Sequence, residues 1–280
     1  MHSTVPARSF KPFGHSGPAR VDGGMTTNRL LMGLDAASLE RMAPLLERVP
    51  LRPRLVLVEP HVPVRDVFFI ESGTASVVSR LKPDRGLEVS MIGCMGVAGL
   101  PAVLGTVTSP FRCLVQIPGT ALRMSARDLR RSMDELPAVR QRLMNYVQAR
   151  MIQQAQITVC NATHLVSQRV ARWLLMGLDR LEGDTLPVTH GLLGRMLGVR
   201  RAGVSMALQE LERDGTIERG RGCIRIVDRA QLESAACGCY KFIGREFDRL
   251  ICRPGQSNGH SNGRLGGEAA PHMRLVSSSL

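Results

Sequence analysis

The spacing of apolar residues changes near Ser125, and this change limits the possible folds more than any other feature of the chain. Between Leu51 and Met124, short runs rich in β-branched and aromatic residues are separated by turn-forming Gly, Pro and Asp. Several short strands at regular spacing predict an antiparallel sandwich or barrel. After Ser125 the apolar residues recur at helical spacing. The predicted strand runs are LVLV at 55–58, VFFI at 67–70, ASVV at 75–78, LEVSMI at 87–92 and FRCLVQI at 111–117.

The chain has 280 residues, which is enough for two domains with flexible ends. Its two ends are rich in Gly and in Pro, Ser or Asn and lack a periodic apolar pattern, so both are expected to be disordered. Apolar residues between Leu30 and Val49 predict a short helix that Asp35 caps and Pro44 interrupts. The expected division is a disordered arm at 1–28, a β-rich domain at 29–132, a connecting helix at 133–162, a second domain at 163–250 and a disordered tail at 251–280.

The sequence favours the cytoplasm as the location of the protein. The first 28 residues contain no continuous apolar segment of the signal-peptide type. No stretch approaches 18 uninterrupted apolar residues, which is the length that a membrane span needs. Seven scattered cysteines show no disulfide framework and fit a reducing compartment.

The connecting helix carries an apolar stripe, interrupted further along by glutamines at 153, 154 and 156. A long helix between two domains is either a connector within one chain or the seam of a dimer. We expect a homodimer that uses this helix, with packing inside the chain as the alternative. The stripe consists of Leu136, Val139, Leu143, Val147 and Met151.

The segment from Leu186 to Asp228 has the order helix, turn, helix, hairpin. Thr189 is a predicted N-cap for a short helix, and Gly198 lies where the chain must turn sharply. A second helix follows, with Val204, Ala207, Leu208 and Leu211 on its apolar face, and Asp214-Gly215 ends it. Runs at 216–218 and 223–227 flank the turn Arg219-Gly220-Arg221-Gly222, which predicts a small basic hairpin. This order is that of a winged helix-turn-helix.

Such a domain suits double-stranded DNA, because a helix fits the major groove and its first residues reach base edges. A helix N-terminus with a hydroxyl cap suits a phosphate oxygen, and arginines on the wing suit the DNA backbone or the minor groove. The predicted DNA-binding residues are Thr189, His190, Arg200, Arg201, Ala202, Ser205, Met206, Arg219 and Arg221.

The formal charge of +13 agrees with a polyanionic partner. Charge alone does not decide the matter, because 34 of the 37 basic residues are arginine, which also fits a bias in genome composition. Paired arginines on a short helix can likewise be an ordinary solvated face. The ordered layout around them is what favours DNA.

The span from about Leu30 to Tyr240 resembles the Crp/Fnr superfamily of bacterial transcription regulators. VFFIESGTASVV at 67–78 is similar to the strand–Gly–strand motif of that family's cyclic-nucleotide-binding-type β-roll, and LGRMLGVRRAGVSMALQELERDGTIE at 193–218 is similar to its helix-turn-helix. The resemblance implies an α+β fold with an N-terminal β-roll, a long dimer helix and a C-terminal winged helix-turn-helix. It also implies that Arg201 contacts guanine, whereas Ala202 stands where nucleotide-responsive members commonly place a glutamate.

The effector region departs from the nucleotide-binding members of that family. The loop at 93–105 has Val97 or Ala98 where they have a glutamate, and 109–115 lacks their Arg-Ser pair, although Arg112 remains a candidate anion contact. We therefore expect no response to cyclic nucleotide and name no cofactor. The absence of cysteine before Cys94 also argues against the N-terminal iron–sulfur cluster of other members.

Cys237-Gly-Cys239 is the closest cysteine pair of the chain, and such a pair can bind a metal or sense an oxidant. It has no second pair nearby in the sequence, so a structural or incidental role is favoured and no metal site is assigned. No catalytic motif is present, and we expect no enzyme. The expected function is a sequence-specific, homodimeric transcription regulator, with RNA polymerase as a further partner if it activates. The alternatives are a protein–protein adaptor that has kept the fold and a small-molecule sensor without operator binding.

Overall fold

The structure is a computed structural model, and it describes residues 19–21, 24–82, 85–181 and 183–252. A 3-10 turn at Ala43–Leu45 and a π-helical turn at Asp248–Cys252 accompany the regular elements. The strands are β1 Ala19–Val21, β2 Gly24–Thr26, β3 Glu47–Leu51, β4 Val56–Val58, β5 Asp66–Ile70, β6 Thr74–Lys82, β7 Arg85–Ile92, β8 Val97–Ala98, β9 Arg112–Ile117, β10 Gly119–Ser125, β11 Thr185–Leu186, β12 Ile217–Gly220 and β13 Cys223–Ile226. The helices are α1 Arg29–Met32, α2 Ala36–Met42, α3 Leu100–Val103, α4 Ala126–Glu135, α5 Pro137–Thr163, α6 Val166–Leu178, α7 His190–Leu197, α8 Arg201–Arg213, α9 Arg229–Ala235 and α10 Cys239–Phe247.

The N-terminal domain is a β-roll made of two four-stranded antiparallel sheets, in the orders β3-β10-β5-β8 and β4-β9-β6-β7. Its strands bury apolar side chains in one core, which includes Phe69, Ile70, Val115 and Leu122. All five predicted strand runs lie in these sheets. The predicted antiparallel β domain and the α+β class are therefore confirmed.

Three strands of the roll were not predicted. β3 contains Pro50 and buries only Leu51 fully, and a proline is tolerated there because β3 lies at the edge of its sheet. β10 is poor in β-branched residues but pairs with both β3 and β5. β8 has only two residues, both buried. Pairing with neighbouring strands, rather than local preference, forms these elements.

The short helix near the N-terminus begins as expected. The Asp35 carboxylate accepts hydrogen bonds from the Ser38 backbone N–H at 2.9 Å and the Ser38 hydroxyl at 2.8 Å, and these bonds lower the pKa of Asp35. Pro44 lies in the 3-10 turn that follows α2, so the predicted interruption is confirmed.

The expected disordered arm at 1–28 is wrong for its last residues, because β1 and β2 pair as antiparallel strands. Asn28 then anchors the chain to the roll. Its buried amide donates to the carbonyl oxygens of Ile70 at 2.7 Å and Gly96 at 2.9 Å, while its Oδ1 caps α1. Residues 1–18 lie outside the described residues.

The tail also begins later than expected, because Ile251 is fully buried in the π-helical turn. Residues 253–280 lie outside the part of the chain that the structure describes.

The connecting helix starts at Pro137, not at 133, because residues 133–135 end α4 and Leu136 has extended backbone before the proline. At about 1.5 Å per residue, its 27 residues span roughly 40 Å. The prediction that the whole apolar stripe forms a dimer seam is wrong, because Leu136, Val139 and Leu143 are buried within their own chain.

A different face of α5 is exposed. Met151 is 67% exposed and Val159 is 52% exposed. Met144, Ala155 and Ala162, at helical spacing with these two, are exposed as well. We call the residues Met144, Met151, Ala155, Val159 and Ala162 the open face of α5.

The C-terminal domain consists of α6 to α10 and a three-stranded sheet in the order β11-β13-β12. α8 packs against both α6 and α7, and α7 also contacts β7 of the roll. Trp173 of α6 lies in the core, and its indole N–H donates to the Glu88 carboxylate of β7 at 3.3 Å. The two domains are thus in direct contact beside α5. No helix among the described residues has both the length and the apolarity needed to cross a bilayer.

Candidate nucleic-acid interface

The first helix of the C-terminal motif is capped as predicted. The Thr189 hydroxyl accepts a hydrogen bond from the Leu192 backbone N–H at 3.2 Å, and α7 follows. Gly198 ends α7 with a φ of 66°, a left-handed conformation that favours glycine. A Cβ at this position would also lie 3.1 Å from the Leu87 side chain. The turn between α7 and α8 therefore depends on this glycine.

The second helix, α8, has one buried face and one exposed face. Val204, Ala207, Leu208 and Leu211 are buried against the rest of the domain, as the apolar pattern predicts. The opposite side carries exposed residues at the start of the helix and in its second turn. These are Arg200 at the N-cap, Arg201, Ala202 and Met206.

Arg200 and Arg201 are free to contact a ligand. Both are exposed, and no ion pair between described residues includes either of them. Their side chains point away from the core because the helix buries its apolar face. Two guanidinium groups at the head of a helix match the hydrogen-bond acceptors of guanine and of phosphate.

The wing is the hairpin of β12 and β13, joined by Arg221-Gly222. Arg221 is exposed at the turn, and Gly222 has a φ of 78°. Arg219 is tied to α8 because its Nε donates to the Glu212 carboxylate at 2.7 Å and its backbone N–H donates to the same group at 3.1 Å. This contact lowers the pKa of Glu212 and holds the wing against α8.

His190 lies where α7, α8 and the wing meet. Its Nδ1 is 3.0 Å from the Ser205 hydroxyl of α8. Partial burial lowers the pKa of His190, and the positive charges of Arg219 and Arg201 lower it further. The uncharged form of the ring is therefore favoured. A groove of about 370 Å³ opens here between the N-terminus of α7 and the wing, and its lining includes Thr189, His190 and Arg201.

Three of the sequence-predicted residues, Thr189, His190 and Arg201, line this groove. Ser205 contacts His190, and Arg219 is near enough to influence its charge. Arg200, Ala202 and Met206 continue along the exposed side of α8, and Arg221 is at the wing tip. Their role in binding DNA stays a prediction.

Glu212 is the residue that the sequence analysis missed at this surface. It precedes its partner Arg219 by seven residues, across a helix end and a turn, so no helical or strand spacing connects them. The one available signal was an acidic residue near the end of α8, opposite a basic wing.

A cavity of about 650 Å³ lies between the β-roll and α5. Its lining is mainly apolar and includes Val97, Leu100 and Phe111 from the roll, and Arg150 is the charged residue among the described ones that line it. The guanidinium of Arg150 already donates to the Met91 carbonyl oxygen at 2.9 Å. The cavity therefore suits a largely apolar molecule.

The residues that the sequence analysis considered in the effector region have other contacts in the structure. Val97 and Ala98 are fully buried in β8, which pairs with β5. Arg112, the candidate anion contact, is engaged in an ion pair with Glu59.

A cluster of cysteine and histidine side chains lies at the C-terminal end of α5. The structure brings Cys160 and His164 next to Cys237 and Cys239, with all four potential ligand atoms within 4.8 Å of one another. The favoured incidental role of Cys237 and Cys239 rested on the lack of nearby partners in the sequence. The four-residue spacing of Cys160 and His164 on a predicted helix was a signal that could have shown a second pair.

Comparisons with known proteins agree with this geometry. Residues 168–235 match the model of the Crp-like helix-turn-helix domain. Similar solved structures include the c-di-GMP-responsive global regulator CLP of Xanthomonas campestris, at 18% identity and a TM-score of 0.56 over 69% of this chain and 100% of that one. FixK2 of Bradyrhizobium japonicum has 15% identity and a TM-score of 0.58, over 69% of this chain and 98% of its own.

A transcriptional regulator of the CRP family from Thermus thermophilus has 19% identity and a TM-score of 0.56, over 67% of this chain and 96% of its own. No curated protein sequence matches the chain. At these identities the solved structures show a shared fold. The resemblance expected from the sequence is confirmed.

The ionisation of His190 tests the geometry of the groove. Because Arg201 and Arg219 lower the pKa of His190, Arg201→Ala and Arg219→Ala should each raise it toward its ordinary value. Glu212 opposes the arginines, so Glu212→Gln should lower the pKa further. An NMR titration of the histidine ring protons measures these shifts, with Arg245→Ala on α10 as the control. A His190 pKa that none of the three variants moves would show that the side chains are not gathered as described.

Proposed function

We propose that this chain, which carries a Crp-like helix-turn-helix domain in the fold of the CRP/FNR-family regulators, binds double-stranded DNA sequence-specifically and regulates transcription as a homodimer. The observation that carries the proposal is the exposed arginine pair at the head of α8, opposite a fully buried apolar face. The DNA-contacting residues that we propose are Thr189, His190, Arg200, Arg201, Ala202, Ser205, Met206, Arg219 and Arg221.

The positions of several of these side chains support particular roles. Arg201 donates to a guanine edge, and Ala202 offers a methyl group to thymine. Thr189 and His190, at the N-terminus of α7, face a phosphate oxygen, and Arg221 reaches the backbone beside the groove. Glu212 holds Arg219 in place until a phosphate competes for it.

The three parts of the chain then have separate tasks. We propose residues 29–132 as the sensor domain, 133–162 as the connecting and dimerisation segment, and 163–250 as the DNA-binding domain. An activator of this design also needs a contact with RNA polymerase, whereas a repressor needs only to occupy its operator. We propose the cytoplasm as its location and no catalytic activity.

Dimerisation fits the open face of α5. Five apolar or small residues at helical spacing are exposed there on a helix of 27 residues. An exposed apolar stripe along a long helix is typical of a dimer seam. Two copies joined along this face would present their α8 helices to successive major grooves, about 34 Å apart.

Arg201→Ala tests the base contact. A good bidentate arginine–guanine contact contributes about 1–3 kcal/mol of discrimination, so the variant should lose roughly 5- to 150-fold in preference for the operator over random duplex. Fluorescence anisotropy with both duplexes measures this loss, with Arg245→Ala as the matched arginine control. Equal weakening on both duplexes would mean that Arg201 contacts only phosphate.

The same assay separates a regulator from an adaptor that has lost DNA binding. A protein that neutralises phosphates binds random duplex more weakly as salt rises, with a steep linear slope of log affinity against log salt. An adaptor shows no such slope.

Met151→Glu tests the dimer seam. A carboxylate on each copy would be forced into an apolar contact, so the particle should change from twice 30.6 kDa to a single chain. Sedimentation equilibrium measures the mass, and Val62→Glu, at an exposed valine of the roll, is the control. A dimer that persists in Met151→Glu would place the seam elsewhere.

The cavity beside α5 favours a second candidate function, the sensing of a small apolar molecule. Its volume of about 650 Å³ is within the range of ligand pockets. Because Val147 and Arg150 of α5 line it, an occupant would contact the helix that joins the two domains. The ligand would thereby bias the pose of the DNA-binding domain.

Native mass spectrometry of freshly purified protein tests this candidate. We expect an added small-molecule mass that is lost on denaturation and absent from Val147→Phe, which fills part of the cavity. Val62→Phe is the control and should keep the added mass. A mass equal to the chain alone, together with no shift in thermal unfolding on addition of apolar carboxylic acids, would count against a sensor.

A further inference from the structure

Four potential metal ligands meet where α5 ends. Cys160 lies in its last turn and His164 is its C-cap residue, four positions later. Cys237 and Cys239 flank Gly238, the N-cap residue of α10. The Sγ atoms of Cys160 and Cys237 are 3.4 Å apart, and the Sγ of Cys239 is 3.6 Å from Nδ1 of His164. Two pairs that are more than 70 residues apart in the chain thus converge.

The local backbone holds each pair in position. The His164 N–H donates to the Cys160 carbonyl oxygen at 3.0 Å, and the Tyr240 N–H donates to the Cys237 carbonyl oxygen at 3.1 Å. The three cysteines are buried and form a small cluster apart from the main core. Three buried thiols beside a half-buried histidine, with so little other apolar packing, are unusual for side chains that only fill space.

The distances fit one tetrahedral cation. With Zn–S bonds of about 2.3 Å and Zn–N bonds of about 2.0–2.1 Å, neighbouring ligand atoms in a tetrahedral Cys₃His site lie about 3.5–3.8 Å apart. The two measured distances, 3.4 Å and 3.6 Å, are close to this range. All four atoms lie within 4.8 Å of one another, which suits a single ion rather than a cluster of several metals.

The surroundings of the four ligands also suit a bound thiolate site. The Gln156 amide donates to the Cys239 sulfur at 3.1 Å, as outer-shell groups of metal sites commonly do. The Arg172 guanidinium lies close enough to Cys160 to interact with its sulfur electrostatically. Three thiolates and a neutral histidine around a divalent cation carry one net negative charge, which Arg172 offsets.

We propose that Cys160, His164, Cys237 and Cys239 form a closed Cys₃His site for one thiophilic divalent cation, Zn²⁺. Such a site has four protein ligands and no open position, so it is structural. It joins the end of α5 to the start of α10, beside the link between α5 and α6. The cation would therefore fix the angle at which the C-terminal domain leaves the long helix. This last consequence, unlike the site itself, rests on the proposed DNA-binding function.

Metal analysis of the full chain, purified under reducing conditions without added metal, tests the site. We expect one zinc per chain by mass spectrometry of the elements. After replacement by Co²⁺, we expect two spectral features. The first is thiolate-to-cobalt charge transfer in the near ultraviolet, and the second is the set of visible absorption bands that tetrahedral Co²⁺ gives. Cys239→Ser should bind Co²⁺ at least about 100-fold more weakly, since even an outer-shell change costs about 10–100-fold. Cys223→Ser, at a cysteine outside the cluster, should bind as the unaltered chain does.

His164→Cys distinguishes the loss of a metal ligand from a failure to fold. It supplies a fourth thiolate, so it should retain the metal and show stronger charge transfer than the unaltered chain. A chain without metal, a Co²⁺ spectrum that Cys239→Ser leaves unchanged, iron with inorganic sulfide, or a Cys160–Cys237 disulfide in a metal-free chain would each overturn the site.

The proposed effect of the cation on DNA binding is tested by a separate measurement. Removal of the cation with a chelator should weaken binding to duplex DNA at least tenfold, and zinc should restore it. Unchanged DNA binding by the metal-free chain would refute the positioning role and leave the site standing. If the loaded chain binds no DNA at all, the proposed function fails while the metal stoichiometry still decides the site.

Discussion

The buried face of α8 is the contact on which the interface depends. Val204, Ala207, Leu208 and Leu211 lie in the core, and burial of a Val or Leu side chain stabilises by about 1.5–3 kcal/mol each. Because these residues follow the helical period, their burial leaves the head of the helix facing outward. The packing that leaves Arg200 and Arg201 exposed to solvent therefore involves other residues of the helix.

A second set of contacts joins the C-terminal domain to the β-roll. Trp173 of α6 donates to Glu88 of β7, and α7 packs against the same strand. Desolvation raises the pKa of Glu88, while the Ser76 hydroxyl and the Trp173 N–H, both donating to it, act in the opposite direction. The C-terminal domain is therefore joined to the roll both by direct contact with β7 and by the long helix α5.

The sequence was most informative where local rules decide the structure. Caps at Asp35 and Thr189, the glycine turn at 198 and the apolar face of α8 follow from short-range chemistry, and each is as expected. The sequence was least informative where distant segments meet. The pairing of β10, the anchoring of Asn28, the ion pair of Glu212 with Arg219 and the approach of Cys160 to Cys237 all join residues whose spacing carries no periodic signal.

The apolar stripe of α5 also shows what the spacing of residues in the sequence leaves undecided. Periodicity showed that the helix has an apolar face, but it did not show which side the chain's own roll covers. Val139 and Met151 belong to one apolar stripe in the sequence, yet the first is buried and the second is exposed. The proposed seam is therefore inferred from which residues of α5 are exposed, and not from their spacing in the sequence.

Selection of bound sequences from a random duplex library with the full chain tests the central claim most directly. The account predicts a two-fold-symmetric consensus whose half-sites are centred about one helical turn apart, roughly 10–10.5 base pairs, with a guanine at a fixed place in each half. Enrichment of a single unrepeated motif, or no enrichment over the starting library, would contradict it.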